Sequence, residues 1–337
     1  MEVQKLETLP PPPGVFGSLK TGFDLVSNRV VLILLPLGLD LLLWLGPRFS
    51  VDALLSPFFR LVFTQARLGV PESDLDLFVQ NQTFFMDRLQ NFNLLSLLSK
   101  LQFFPIGISS LSAQILPVAN PFGAQNVSVV SSFWTMLGFL FILIPLGWIG
   151  GGVYFRQVAK STLDVGDVSI SLFRAIAQTI LLSVLWMIGL MAIFIPLGFL
   201  FTLLAIISPV LSNVAGFIIL FLSFWLVVPL FFAPHGIFVR KQNAFSSISS
   251  SMRMIRFSLP TSGMFVLSTF LLSRGLDLLW SVPENKSWLA LVGFAGHAFI
   301  TTALLAGSFV YYRDMTNWLQ NVYERFRQLG KRPGSTV

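Results

Sequence analysis

The feature that most restricts this chain is a set of long apolar runs, each about as long as a bilayer is thick, separated by shorter basic stretches. A helix crossing the roughly 30 Å hydrocarbon core needs about 20 mainly apolar residues. Six stretches qualify, at residues 29–46, 130–154, 174–204, 214–238, 260–280 and 288–311. Hydrophobic residues make up 54% of the 337 positions and charged ones 11%, less than half of the roughly 25% charge of soluble domains. One soluble core would not separate apolar and basic residues in this way. The expected fold is all-α: a polytopic membrane helix bundle of six transmembrane helices, built as three hairpins with interfacial amphipathic helices. In the third run, Pro196 with Gly198 predicts a kink, a strong tilt or a re-entrant end.

Charge sets the expected orientation. With the amino terminus inside, the inner segments hold 15 of the 22 basic residues and seven acids, a net charge of +8. The outer segment 47–129 balances five basic against five acidic residues, and the short outer loops add only Glu284 and Lys286. Positive charge near span ends resists translocation, so both termini are expected in the cytoplasm of a multi-pass cell-membrane protein. Residues 1–28 then form a cytoplasmic segment with an amphipathic helix, 29–311 the membrane domain, and 312–337 a basic cytoplasmic tail. The first 27 residues are mixed polar, with Pro10 to Pro13 ahead of any apolar run, and show no cleavable signal pattern. The tail mixes Trp318, Leu319, Val322, Tyr323 and Phe326 with Arg325, Arg327, Lys331 and Arg332, as suits a helix on the inner leaflet.

Segment 47–129 is not hydrophilic. Leu54 to Ala66 and Phe92 to Leu116 read as interfacial or re-entrant helices, and Val70 to Asn81 as an exposed connection. A loop this long either caps the bundle or acts as a ligand-binding lid.

A threefold pattern also emerges. Gly152 to Arg156, Gly236 to Arg240 and Gly307 to Arg313 each run from Gly through bulky apolar and aromatic residues to Arg. Phe16, Leu19, Phe23 and Val26 match Phe245, Ile248, Met252 and Ile255 in spacing, and more weakly Val165, Val168, Leu172 and Ala175. Such intervals put each set on one helical face. Three units follow, each an amphipathic helix and a two-span hairpin. Gly38 to Trp44 further resembles Gly275 to Trp280.

Few ionisable groups fall within the runs. Asp40, Arg274, Asp277 and His297 form the candidate intramembrane polar cluster, with His235 nearer the inner end of the fourth run. Such groups are expensive in lipid and usually face protein or water. Arg274 and Asp277 lie three apart on one helix face, so an ion pair that Asp40 joins is the structural expectation, and a proton or ion relay the functional one. His297, flanked by Gly296 and Ala298, is expected to be packed and hydrogen-bonded. No metal-ligand spacing, phosphate-cradling loop or nucleophile motif is visible, and there is no Cys. No cofactor is expected. Gly150 to Gly152 fits close helix packing. The basic residues are spread as orientation signals, which favours anionic lipid on the inner face over nucleic acid as partner.

Phe231-Phe232-Ala233-Pro234, then Ala244, Ser250, Ser251 and Arg253, then Tyr312 and Arg313 resemble a bacterial family of six-span proteins. That family includes the membrane domain attached to some glycerophosphodiester phosphodiesterases. The likeness implies a fold and little function, and with no soluble phosphodiesterase domain present that activity is not carried over. The leading expectation is a non-enzymatic scaffold or accessory protein that binds lipid or partner proteins. Next stands a small-solute or lipid transporter using the intramembrane charges. An intramembrane hydrolase ranks third, for want of a nucleophile and base that the sequence brings together.

Overall fold

The computed structural model describes residues 11–101, 104–164 and 168–329. Among these residues the protein is all-α apart from four very short strands. In chain order the elements are α1 (Val15–Asn28), a 3-10 turn (Val30–Ile33), α2 (Leu34–Leu45), β1 (Arg48–Ser50), α3 (Asp52–Arg67) and α4 (Leu75–Asn91). Then follow α5 (Leu111–Ile115), β2 (Ala119–Asn120), β3 (Gly123–Ala124), β4 (Val127–Val129), α6 (Phe133–Ser161), α7 (Leu172–Ile207) and α8 (Pro209–Phe232). The chain ends in α9 (His235–Arg240), α10 (Ala244–Trp280) and α11 (Ala290–Leu329).

Among the described residues four helices are long and apolar enough to cross a membrane, within α6, α7, α10 and α11, and the count reaches five if the bent pair Val15–Asn28 and Val30–Leu45 is one span, short of the six expected. The fourth run is the 24-residue helix α8. The side chains of 222–226 lie outside the described residues, and what remains reads as two shorter apolar helices, Val210–Phe221 and Val227–Arg240.

Several boundaries differ from the sequence reading. Pro196 sits inside the continuous 36-residue α7 and does not end it. The amphipathic segment from Ala244 and the fifth run are one helix, α10, broken only at Ser258, whose φ of −130° is non-helical. Pro260 two residues on cannot donate to the helix ladder, which accounts for the break. No boundary separates the last run from the tail, since α11 continues to Leu329. Val70 to Asn81 is largely exposed, as expected, but from Leu75 it is helix α4. The middle amphipathic helix is not seen: Val168 to Ser171 is non-helical, α7 starts at Leu172, and Val165 lies outside the described residues.

By its contacts the chain forms two compact units. One holds the described residues up to Arg29, Arg156–Leu272 and those from Ala303 on; the other holds Val30–Phe155 and Ser273–Thr302.

In the first unit, a Cβ on Gly22 of α1 would strike the backbone of Ala303 and Gly307 on α11, so these helices cross at backbone contact. The turn between α8 and α9 shifts to shorter hydrogen bonds: Ala233 N–H donates to Leu230 O and Ile237 N–H to Pro234 O. That leaves the carbonyls of Pro229 and Ala233 over, and Ser251 and Ser247 of α10 donate to them. Buried carbonyls demand such partners, which explains why a Pro-containing helix end and a serine-rich helix start go together here.

In the second unit, Trp44 at the end of α2 is fully buried. Its Nε1 donates to Asn285 O at 2.8 Å, and its ring meets Trp288 and Phe294 edge-on. The last carbonyls of α2 have no intrahelical donor. Gln125 supplies one, reaching Leu43 O at 2.9 Å and Trp44 O at 2.7 Å, and Asn120 adds a bond to Trp44 O at 3.3 Å. β1 pairs with β4 in parallel, and β2 with β3 as a hairpin. Gly151 of α6 abuts Gly107, where a Cβ would come within 2.8 Å of backbone. The close packing expected of the glycine run is therefore against segment 47–129, and that segment lies on the helices rather than apart from them.

Candidate functional site

The four ionisable residues of the expected cluster all belong to the second unit, and segment 105–115 supplies most of their partners. This segment is held by a parallel bridge between Ser99 and Ile108, with Lys100 N–H donating to Ile108 O at 2.7 Å. It delivers three serines in four residues. Ser110 caps α5, its hydroxyl accepting from Ala113 N–H at 3.1 Å. It also donates to Asp40 Oδ1 at 2.6 Å, while Ser112 gives the same oxygen its backbone N–H at 2.8 Å and donates its hydroxyl to Asp40 O at 3.1 Å. Asp40 is fully buried, and its second oxygen, Oδ2, accepts no hydrogen bond from the described residues.

Ser109 turns elsewhere. Its Oγ lies 3.1 Å from His297 Nε2, and His297 Nδ1 lies 2.7 Å from Asp277 Oδ1. The His297 side chain is 0% exposed and that of Asp277 13%, whereas Ser109 is half-buried. An ionised carboxylate only accepts, so the bond to Asp277 places the imidazole proton on Nδ1. A neutral ring then has Nε2 free to accept from the serine hydroxyl. His297 also lies within electrostatic reach of Asp40.

The structure corrects the arrangement expected from sequence. Asp277 is hydrogen-bonded to His297 of α11. Arg274, one turn away, is exposed and donates from Nη1 to Gln114 Oε1 at 3.3 Å. Asp40 is anchored by serines. The carboxylates and the histidine sit inside, and the guanidinium stays at the rim because its long stem lets it reach solvent or headgroups. Sequence reasoning missed Ser109, Ser110, Ser112 and Gln114. The serine run Ser109-Ser110-Leu111-Ser112 in an apolar segment was the available signal.

His235, the other histidine, belongs to the first unit. Its Nε2 lies 2.8 Å from Ser308 Oγ, and its ring sits among Phe231, Phe232, Phe309 and Tyr312 with centroids 4.7–5.7 Å away. Among the described residues no group of three metal-ligating side chains comes together.

The first unit also carries a shallow, open surface along the first turns of α10, formed by Phe245, Ile248, Ser249, Met252, Arg253 and Arg256. Phe245 and Met252 are exposed. A cavity of about 10 Å³ in the second unit, beside Asn93, Ser96 and Ser112, has room for about one water.

No known protein family, characterised protein or solved structure matches this chain.

Proposed function

We propose that this chain is a multi-pass cell-membrane protein with both termini in the cytoplasm, acting as a scaffold or accessory that binds anionic lipid on the inner face and, through it, positions partner proteins. The observation that carries this reading is the exposed surface of α10 where Phe245, Ile248 and Met252 adjoin Arg253 and Arg256. Arg matches phosphate geometry and charge, and apolar side chains beside Arg suit a phospholipid headgroup with its first methylenes. Further support comes from α7, whose apolar window is only 11% buried, leaving a long surface for acyl chains or a partner helix. The orientation rests on the +8 charge of the inner segments.

Protein purified gently in detergent should retain phosphatidylglycerol or cardiolipin. Replacing Arg253 and Arg256 together by Gln should reduce retained anionic lipid several-fold without altering the melting temperature. Equal retention by the double variant would remove the basis of the reading. For orientation, cysteine at the exposed Asn81 should react with an impermeant maleimide in intact cells and cysteine at the exposed Ser249 should not; the opposite pattern refutes it.

A further inference from the structure

We infer that Ser109 is an activated nucleophile, with His297 as its general base and Asp277 as the residue that positions the base, and that the site takes acyl esters of anionic amphiphiles. The three side chains come from segment 105–115, α10 and α11, and Ser109 and His297 stand 188 residues apart in sequence. Serine is a weak nucleophile at its free pKa and needs an adjacent base, which in turn needs a third group to fix its tautomer. Here the bonds of 2.7 and 3.1 Å supply both conditions with the atoms in the required order, carboxylate to Nδ1 and Nε2 to hydroxyl. A purely structural role would be met as well by three buried side chains, as at Ser110 and Ser112, which are 3% and 1% exposed. Ser109 is instead partly open.

The cations held against segment 105–115 point to the substrate class. Arg88 Nη1 donates to Gln114 O at 2.7 Å, and Arg274 Nη1 to the Gln114 side chain. Lys100 is bonded through its backbone to Ile108, the residue before Ser109, and makes no ion pair among the described residues. Lys100 is exposed. Cations gathered around this segment favour an anionic ligand group, such as the phosphate of a lipid whose ester lies at Ser109.

In the reaction, Ser109 Oγ bonds to the acyl carbonyl carbon as its proton passes to His297 Nε2. The carbon–oxygen bond to the alcohol portion breaks, and that alcohol leaves with the proton. Water then attacks the acyl-serine, its proton moves through His297 to Ser109 Oγ, and a carboxylic acid is released.

The full-length chain, reconstituted in phosphatidylcholine nanodiscs and treated with a fluorophosphonate, should carry one covalent adduct on the peptide containing Ser109. Ser109→Ala and His297→Gln should abolish it. Asp277→Asn should slow labelling about 100-fold and Asp277→Glu less than tenfold, with all variants compared at matched melting temperature. A wild-type protein that stays unlabelled, an adduct that survives Ser109→Ala, or equal rates for Asp277→Asn and Asp277→Glu would overturn the nucleophile assignment. Release of fatty acid from phosphatidylglycerol vesicles should exceed that from phosphatidylcholine vesicles about tenfold, and Lys100→Ala should erase the difference. Labelling at Ser109 without that preference would overturn the substrate class alone.

Discussion

The two histidines of this protein look alike in sequence, each beside small residues in an apolar stretch, and the fold gives them opposite surroundings. His235 is enclosed by four aromatic rings and shares a bond with Ser308, whose hydroxyl also donates to Leu305 O. His297 is equally buried but stands between a carboxylate and a half-exposed serine. One ring is held by packing and a hydrogen bond at one nitrogen; the other is held by hydrogen bonds at both. Burial of a histidine in a membrane bundle is therefore uninformative until its hydrogen-bond partners are known.

The largest test of this contrast is stability. His297→Leu leaves the mostly buried Asp277 carboxylate without its hydrogen-bond donor and should cost about 3 kcal/mol or more in denaturant unfolding from micelles. His235→Phe keeps an aromatic ring among aromatic rings and leaves Ser308 its bond to Leu305 O, so about 1 kcal/mol is expected. Equal costs would erase the distinction.

A smaller effect separates Asp40 from Arg274. Asp40→Ala strips a buried serine hydroxyl and a backbone N–H of their acceptor and should cost about 2–3 kcal/mol. Arg274→Leu changes an exposed side chain and should stay within about 1 kcal/mol. The sequence reading ranks them the other way, because it assigns Arg274 to neutralise two carboxylates. Finding Arg274→Leu the more damaging would restore that reading.

The smallest contrast lies between two helical glycines. Gly22→Ala forces α1 off the α11 backbone and should lower stability by about 1–2 kcal/mol. Gly38, in α2, has nothing within 4 Å of an added Cβ, so Gly38→Ala should be neutral or stabilise by about 0.5 kcal/mol. Thermal unfolding of the two variants in one detergent decides it.

What the sequence determined by itself is the helical, membrane-like class and the places of four of the long helices, α6, α7, α10 and α11. Apolar runs about 20 residues long have few other solutions, since a backbone in lipid must satisfy its hydrogen bonds within the segment. It also gave the amphipathic helix from Ala244 and the close packing around Gly151. It could not rank the helices by burial: the apolar window of α7 is 11% buried and that of α11 56%. When both the protein core and the surrounding solvent are apolar, periodicity no longer marks which face looks inward. Only the tertiary structure decided that Asp277 meets His297, that His297 meets Ser109, and that Asp40 is held by Ser110 and Ser112. A hydrogen bond depends on tenths of an ångström between segments as much as 188 residues apart, and that placement follows from how α10, α11 and segment 105–115 pack, which no local pattern encodes.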